Sequence, residues 1–399
     1  AAQIGEAKAA YLPQVNVNLN HTQDDVVNKL DGPHPVITDN NMSAFGRNLT
    51  LSWLLLDFGT RAANIDQSKR LLAAAVASHD AVVQSVFATA AQAYYDTWAA
   101  NAALDAALDA EKAARESAAA AAAKAKSGAG THVEELQAQS ALSQATLARV
   151  RAAGTAKMAL GTLAFVLGVD ARTPLRLATD PTLAATARNE DPATNRFLEH
   201  LDALMTAAMR DHPSVVAARA QLEAAQAKRT ATIREGLPAV TFNLGRYLNG
   251  RPSNPLQEGR TYETLASVNV AIPVFEGFSR NYKIREAEAI VSAREADLAN
   301  TEVQASLDVW RNYQTLLVET TAVTASADLV RGGTEAFAAA RAAYGSGALD
   351  ILDLLNTQKD LASANQERIR ALAAWCTARL KLLGSLGRLG FWALDSAPP

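Results

Sequence analysis

The sequence predicts a mostly α-helical fold with transmembrane β strands, assembled from two structural repeats. Three observations predict this fold class: an internal repeat, short segments in which apolar and polar residues alternate, and two very long segments whose only helix breaker is Gly332-Gly333. The composition agrees, because only 6% of the 399 residues are aromatic and alanine-rich runs such as 118–123 suit long, closely packed helices.

The internal repeat relates the two halves of the chain at a constant spacing of 219 residues, as from Arg61 to Arg280. The other matching pairs are Ile65 and Ile284, Tyr94 and Tyr313, Gly128 and Gly347, Leu136 and Leu355, Gln139 and Gln358, Leu167 and Leu386, and Gly168 and Gly387. Upstream, Leu12-Pro13-Gln14-Val15 matches Leu237-Pro238-Ala239-Val240 at a spacing of 225 residues. The change of spacing indicates a loop of variable length between the two strands of each repeat.

The repeat divides the chain into four segments. Repeat one is predicted over 1–168, with a first helix truncated at Ala1, strands over about 13–20 and 47–56, a long helix over about 60–127 and a return helix over about 131–168. A linker follows over 169–210. Repeat two is predicted over 211–387, with a helix over about 213–236, strands over about 238–248 and 263–274, a long helix over about 279–344 and a return helix over about 348–386, before a tail over 388–399.

The predicted strands have one wet face and one apolar face. Val15, Val17 and Leu19 alternate with asparagines, and the other strands alternate in the same way at Leu49, Leu51, Trp53 and Leu55, at Val240, Phe242 and Leu244, and at Ala266, Val268, Val270 and Ile272. Each strand has about ten residues, the length of a tilted transmembrane strand. An ordinary soluble sheet with core aromatics is the alternative.

Turn residues indicate loops over 22–46 and 249–261, between the two strands of each repeat. Aromatic residues lie at both ends of the strands, as they do at the two interfaces of a membrane. They are Tyr11, Phe58, Phe275 and Phe278 at one end, and Phe45, Tyr247 and Tyr262 at the other.

The long helix of repeat two carries two apolar seams with a spacing of seven residues. One seam is Ile284, Val291, Leu298 and Ala305, and the other is Val303, Trp310 and Leu317. A helix with two seams packs against two neighbours, so we expect a curved wall of helices. A plain coiled-coil rod is the alternative, but it has no role for the strands.

Four strands cannot close a barrel, and an open sheet edge in lipid leaves backbone groups without hydrogen bonds. We therefore expect other copies of the chain to close the sheet. Three copies supply about twelve strands, an even number that can enclose water. A two-fold or four-fold ring is less strongly excluded.

Several other functions are not expected. The net charge is -3 and the basic residues are scattered among acidic ones, so the chain offers no basic stripe for nucleic acid. No stretch of about 18 consecutive apolar residues predicts a membrane-spanning helix. Cys376 is the only cysteine, which excludes an internal disulfide and fits a small buried side chain.

Catalytic, metal and cofactor sites are not predicted either. The six histidines lack metal-ligand spacing, and His132-Val133-Glu134-Glu135 lacks the second histidine of a zinc helix. Gly128-Ala129-Gly130 lacks the preceding strand and following lysine of a phosphate loop. We found no paired nucleophile and base, so the chain is not expected to be an enzyme.

Repeated motifs, taken in order, resemble the TolC family of outer-membrane export channels. They are the strand ends Leu54-Leu55-Leu56-Asp57-Phe58-Gly59 and Ile272-Pro273-Val274-Phe275-Glu276-Gly277, and the helix–turn segment Tyr344-Gly345-Ser346-Gly347 followed by Leu352-Asp353-Leu354-Leu355. The resemblance implies a homotrimer with a twelve-stranded β-barrel in the outer membrane of a Gram-negative bacterium. It also implies a long α-helical barrel in the periplasm and a mixed equatorial belt, formed by 169–210 and the tail. A periplasmic adaptor (membrane fusion protein) and an inner-membrane transporter would then supply substrate and energy to a passive, gated duct.

The resemblance also implies a gate at the periplasmic tip, where turns at Gly128, Gly130, Gly345 and Gly347 end the long helices. In a trimer, Asp353 would form a ring of three carboxylates that favours cations. The family carries a second acidic residue where this chain has Asn356. Tyr344 and Glu134 match residues of the hydrogen-bond network that closes the gate, whereas the family's basic partner falls on Leu349. Alternatively, Asp353, Glu134 and Glu135 are simply acids that favour helix starts.

The end of the return helix indicates the transported substrate. Multidrug efflux members of the family often end near Gly-Gly-Gly-Trp, whereas this chain has Leu383-Gly384-Ser385-Leu386-Gly387 followed by Phe391-Trp392. That segment resembles the branch that serves type I protein secretion. The alternatives are the outer-membrane component of a multidrug or small-molecule efflux pump, and a soluble periplasmic helical scaffold or adaptor.

Overall fold

The computed structural model describes residues 1–30, 36–177, 201–250 and 260–389. The predicted fold class is confirmed, because very long helices dominate and the strands form one antiparallel sheet. The elements in chain order are α1 (Ala2–Ala9), β1 (Gln14–Leu30), β2 (Val36–Leu56), α2 (Thr60–Lys126), α3 (His132–Val166), α4 (Leu201–Asp211), α5 (Pro213–Arg234), β3 (Ala239–Gly250), β4 (Arg260–Ala271), α6 (Ser279–Ser346) and α7 (Ile351–Ser385). Most of the predicted linker 169–210 and of the tail 388–399 lies outside the described residues.

The chain forms two compact units, and each unit takes residues from both repeats. One unit contains Ala1–Val76 and Ala217–Ala299, and the other contains Ala77–Val216 and Asn300–Pro399. The sheet belongs to the first unit and the ends of the helical hairpins to the second. The repeats therefore describe the order of the chain, whereas the units describe its packing.

The sheet has the strand order β1-β2-β3-β4 and brings the predicted apolar residues together in register. Val17 pairs with Leu49, Leu51 with Leu244, and Phe242 with Val268. Polar residues pair on the other face, for example Asn18 with Asn48. The apolar side chains are not covered by any described helix: Val17 is 69% exposed and Val268 is 62% exposed. A sheet whose apolar face is uncovered needs another apolar surface, such as lipid.

The first hairpin is much longer than predicted. Instead of a loop over 22–46, β1 and β2 remain paired as far as Leu30 and Val36. The sequence of this part does not alternate between apolar and polar residues, so the alternation did not predict strands here. The two strands still form, because a paired ribbon satisfies its backbone hydrogen bonds without an apolar face. Phe45 accordingly lies inside β2, at the pair with Gly250 where the four-stranded part of the sheet ends. β4 ends at Ala271, three residues earlier than predicted, since Pro273 has no N–H for the ladder.

A buried arginine joins the end of β2 to the start of α2. Arg61 is 7% exposed. Its guanidinium donates to the carbonyls of Leu54 at 2.7 Å and Ala10 at 3.2 Å, and lies 4.3 Å from the centre of the Tyr11 ring. Asp57 accepts from the Arg61 backbone N–H at 2.7 Å and so begins the helix. These contacts connect the strand register to the direction of the long helix.

The two predicted seams of α6 differ in burial. In the first, Ala305 is buried and Ile284, Val291 and Leu298 are half-buried. Beyond Ala305 the buried seam is Val309, Leu316 and Val323, which pack with Trp375 and Leu382 of α7. The second predicted seam remains exposed, with Val303 66%, Trp310 46% and Leu317 36% accessible. Apolar periodicity identifies candidate seams but does not determine which one the same chain covers.

Polar contacts also hold each hairpin together. In the first hairpin, the Glu111 carboxylate of α2 accepts from the Thr146 hydroxyl and from Arg149 of α3, each at 2.8 Å. In the second hairpin, Arg368 of α7 donates to the Val323 carbonyl of α6.

By length and composition alone, α2 has an 18-residue window apolar enough to cross a bilayer, and only 17% of that window is buried.

Candidate functional site

The two helical hairpins turn at equivalent glycines. Gly128 has φ 77° and Gly347 has φ 81°, which is left-handed backbone that suits glycine. After Gly128, the Ala129 N–H donates to the Lys124 carbonyl at 3.0 Å, and after Gly347 the Ala348 N–H donates to the Ala343 carbonyl at 2.9 Å. Both long helices therefore end in the same type of cap.

The other two predicted turn glycines have different roles. An added Cβ at Gly130 would lie 3.0 Å from Glu134 Oε2 and 3.0 Å from Lys124 Cβ, so this position needs a small residue. Gly345 lies inside the last turn of α6, and apart from the backbone of that turn no atom of the described residues lies within 4 Å of an added Cβ. It is therefore a helix residue and not part of the connection.

The two return helices begin differently. Thr131 and Glu134 form a capping box, in which the Glu134 N–H donates to the Thr131 hydroxyl at 3.2 Å and the Thr131 N–H donates to the Glu134 carboxylate at 3.4 Å. Asp350 occupies the equivalent position before α7 but makes no side-chain cap hydrogen bond. Glu134 thus stabilises its own helix, as the alternative interpretation predicts.

Tyr344 joins the two hairpins near their ends. Its side chain is 4% exposed and packs in an apolar cluster with Ala121 of α2, Ala138 of α3 and Ile351 of α7. The Lys124 ammonium lies 3.9 Å from the centre of the Tyr344 ring and donates to the Tyr344 carbonyl. A cation is favourable there, because that carbonyl belongs to the last turn of α6.

The hydroxyl of Tyr344 is buried and has no hydrogen-bond partner among the described residues. Burial raises the pKa of Tyr344, and the nearby carboxylates of Glu134 and Asp350 raise it further. The hydroxyl therefore stays protonated, and within the described part of the chain it is a donor without an acceptor. The structure brings Tyr344, Glu134 and Lys124 together, but it does not form a hydrogen bond between the tyrosine hydroxyl and Glu134.

Further polar contacts tie the second hairpin to α2. The Ser117 hydroxyl donates to the Gln358 side chain at 3.2 Å, and Gln358 donates to the Ala110 carbonyl at 3.4 Å. Arg341 pairs with Glu116 at 2.8 Å on the surface. Together with the Lys124 contact, they connect one face of α2 to α6 and α7 over several helical turns.

Asp353 and Asn356 lie apart from this cluster, on the exposed surface of α7. Within the described parts of the chain, Asp353 makes no ion pair. Asn356 lines a groove of about 490 Å³ between α2, α3 and α7, together with Gln137, Gln144 and Lys359. The side chains of Asp353 and Asn356 are therefore exposed and can face a partner protein or a channel lumen.

Lys124 is the site residue that sequence reasoning missed. Lysine near a helix C-terminus is common because of the helix dipole, and this gives it no functional meaning by itself. Its contact with Tyr344 spans 220 residues. The family resemblance implies a basic residue at position 349, where this chain has leucine. The packing of one hairpin on the other brings the Lys124 cation to the tyrosine instead.

No cluster of three or more metal-ligating side chains occurs in the part of the chain that the structure describes.

Comparison with known proteins gives a consistent result. The model of the outer membrane efflux protein family matches residues 1–169 and 204–388. Protein CyaE of Bordetella pertussis is 33% identical over 401 residues, which cover 100% of this chain and 81% of that protein. Among solved structures, the outer membrane protein VceC of Vibrio cholerae has a TM-score of 0.79 at 17% identity, covering 97% of this chain and 90% of its own.

Two further solved channels share the fold. The outer-membrane channel OprN has a TM-score of 0.76 at 18% identity, with 97% of this chain and 84% of its own covered. The open state of the MtrE outer membrane channel of Neisseria gonorrhoeae has a TM-score of 0.76 at 19% identity, and the match covers 97% of this chain and 83% of that channel's chain. The predicted resemblance to TolC-like channels is confirmed. The chain belongs to the outer membrane efflux protein family, whose members are channels in the bacterial outer membrane.

Proposed function

We propose that this channel is the exit duct of a type I protein-secretion system and works as a homotrimer. The observation that carries the choice of cargo is the end of α7, where Leu383-Gly384-Ser385-Leu386-Gly387 replaces a Gly-Gly-Gly-Trp ending. The high coverage of the match to CyaE supports a common architecture along the whole chain. The duct is passive: a periplasmic adaptor and an inner-membrane transporter supply cargo and energy, and the chain itself catalyses no reaction.

The open edges of the sheet support closure by other copies. β1 and β4 are the outer strands of the four-stranded order, so each has one side without a partner strand in the described chain. Inside lipid such an edge costs several kcal/mol for each unpaired backbone group. Three copies pairing β4 with a neighbouring β1 form a twelve-stranded barrel with the apolar face toward lipid and the asparagine face toward water.

Exposed helix seams support the same assembly. The seam of Val303, Trp310 and Leu317 on α6 is uncovered, and α3 has its own exposed apolar positions at Met158 and Phe165, 68% and 77% accessible. Apolar stripes of this kind mark contacts with other molecules. Neighbouring copies would cover them in a periplasmic helical barrel.

The gate belongs to the same proposal. The hairpin ends with Gly128, Gly130, Gly345 and Gly347 would form the periplasmic tip, where Asp353 contributes a ring of three carboxylates with Asn356 beyond it. Tyr344 and Glu134 would hold the tip closed, with Lys124 as the basic partner. In this scheme repeat one (1–168) and repeat two (211–387) build the wall, while 169–210 and the tail form the equatorial belt.

The first experiment measures the assembly and the pore together. The full-length protein is purified in detergent, weighed by native mass spectrometry and reconstituted in a planar bilayer. A trimer with a small cation-selective conductance is expected. A water-soluble monomer without conductance would instead support the soluble scaffold.

A second experiment distinguishes the two cargo classes. Multidrug efflux is the competing function, and the description of the matched family as efflux proteins favours it. In a deletion strain of the source bacterium, the medium is analysed for secreted proteins and drug susceptibility is measured in parallel. Loss of secreted polypeptides with unchanged drug susceptibility is expected, and the reverse pattern would establish efflux.

A further inference from the structure

His212 occupies the junction between α4 and α5 and caps the second of these helices. The Ser214 N–H donates to His212 Nδ1 at 3.3 Å, and the Ser214 hydroxyl lies 2.7 Å from the same atom. α5 begins at Pro213, so Ser214 is one of the first residues whose N–H lacks a partner within the helix. A nitrogen that accepts from a backbone N–H carries no proton, so the imidazole is protonated on Nε2 alone.

The same ring lies beside the end of α7. His212 and Gly384 line one cleft, and the backbone of Gly384 raises the pKa of the imidazole. Gly384 lies in the last turn of α7, where carbonyls lack helical partners, and its carbonyl accepts from the Gly387 N–H at 2.9 Å. One neutral imidazole therefore caps the start of one helix next to the end of another.

Among the residues that the structure describes, one carboxylate acts on the imidazole. A cleft of about 380 Å³ gives water access to His212 and is lined by polar side chains of α6, including Asn300, Gln304 and Asp308. Asp308 is the charge that stabilises a protonated imidazole. α2 contributes the buried neutral amide of Gln84 near Gly387, and Arg210 and Asp211 at the end of α4 pair with each other at 2.7 Å.

We propose that His212 is a proton-sensitive cap, which holds the start of α5 when neutral and releases it when protonated. A proton on Nδ1 would be donated to the Ser214 hydroxyl, so the Ser214 N–H would lose its acceptor. The positive end of the α5 dipole also disfavours an imidazolium at this position. This inference does not depend on the cargo of the channel.

The direction of the pH effect follows from the folded environment. Burial lowers the pKa of His212 below its ordinary value of 6.5, although Gly384 and Asp308 oppose the shift. The unfolded or locally opened chain then binds the proton more readily than the folded chain. The stability of the junction is complete above pH 6.5 and falls as the pH decreases below that value toward the folded pKa.

Hydrogen–deuterium exchange of the detergent-purified full-length protein tests the cap. Protection of peptides containing Ser214 should fall severalfold when the pH is lowered through this range, after correction for intrinsic exchange. His212→Asn keeps an acceptor in place of Nδ1, and neither this variant nor His212→Gln carries a titratable ring. Both variants should show protection that no longer changes with pH. His79→Gln changes an exposed histidine and serves as the control.

Two results would overturn the proposal. One is a wild-type protein whose protection at Ser214 does not change with pH, and the other is a pH dependence that persists in His212→Asn. If a His212 variant does not fold, Asp308→Asn gives an independent test in a chain that keeps the imidazole. Removing that carboxylate lowers the folded pKa further, so the loss of protection should extend to lower pH and become larger, and an unchanged profile would contradict the proposed cap.

Discussion

The ammonium of Lys124 lies over the ring of Tyr344, 3.9 Å from its centre, and donates to the carbonyl of the same residue. Two hairpins that are 220 residues apart in sequence are joined by this contact at the ends of their long helices. Family resemblance places a basic residue at position 349, where this chain has leucine. Lys124 reaches the same tyrosine from the other hairpin.

Replacing Lys124 with Met should loosen the closed tip. The substitution keeps most of the side-chain volume but removes the cation–π contact and the hydrogen bond to the carbonyl, worth together about 2 kcal/mol. Higher conductance and more frequent opening are expected in planar bilayers. Lys126→Met changes an exposed lysine of the same turn and should leave both unchanged. Equal behaviour of the two variants would remove Lys124 from the gate.

Tyr344→Phe should leave the channel closed and as stable as the wild type, or more stable. The hydroxyl has no partner among the residues that the structure describes, so its removal relieves an unsatisfied buried donor at a gain of about 1 kcal/mol. Tyr344→Ala should instead cost about 3 to 5 kcal/mol, since it leaves a cavity between the hairpins. Single-channel recording and thermal unfolding check both. A Phe variant that opens the channel would mean that the hydroxyl closes the gate by a hydrogen bond, as the family resemblance implies.

Substitutions at positions 353 and 356 should change ion selectivity in opposite directions. Asp353→Ala removes three carboxylates from a trimer, so it should lower cation selectivity and raise conductance. Asn356→Asp adds three and should increase cation selectivity. Reversal potentials in a salt gradient measure both effects. Asp360→Ala, about two turns further along α7, is the control and should change ion selectivity less. Unchanged selectivity in all three variants would exclude α7 from the constriction.

Gly347 and Gly345 should respond in opposite ways to alanine. Gly347 has φ 81°, so an alanine there is strained by about 1 to 2 kcal/mol. Gly345 is helical with free space around it, so alanine should stabilise the chain by up to about 1 kcal/mol. Thermal unfolding followed by circular dichroism compares the pair. A destabilising Gly345→Ala would indicate that a neighbouring molecule packs closely on this turn.

The first hairpin should lose stability in acid through Glu111. The hydrogen bond from Thr146 lowers the pKa of Glu111, and the charges of Arg149 and Arg115 lower it further. A carboxylate with a lowered folded pKa contributes stability above its ordinary pKa of 4.5, and this stability is lost as the pH falls through the folded value. Glu111→Gln should therefore melt at lower temperature near neutral pH, with a smaller difference from wild type in acid. Glu116→Gln, which changes an exposed ion pair, is the control.

Local patterns were sufficient for the sheet but not for its limits. The alternation around Val17 and Leu49 predicts the face on which these residues pair, because side-chain direction in a strand depends only on the position along the chain. The continuation of β1 to Leu30 was missed, since the residues there need no apolar face to form a paired ribbon.

The same contrast holds for the helices. Glycine at 128 and 347 predicts a helix end because a left-handed residue is required there. The choice between the seam at Val309 and the seam at Val303 depends on which neighbour the chain itself supplies. His212 was expected only as a histidine without metal spacing, and its position beside the end of α7 appears only in the structure.

By itself, the sequence determined the repeat, the mostly helical class, the apolar face of the sheet and the turns of the hairpins, because these depend on periodicity and on the backbone preferences of single residues. The tertiary structure alone decided that Lys124 meets Tyr344, that the tyrosine hydroxyl has no partner among the described residues and that His212 lies beside the end of α7. Each of these relationships depends on the packing of elements that are distant in the chain, and no local preference of either residue specifies that packing.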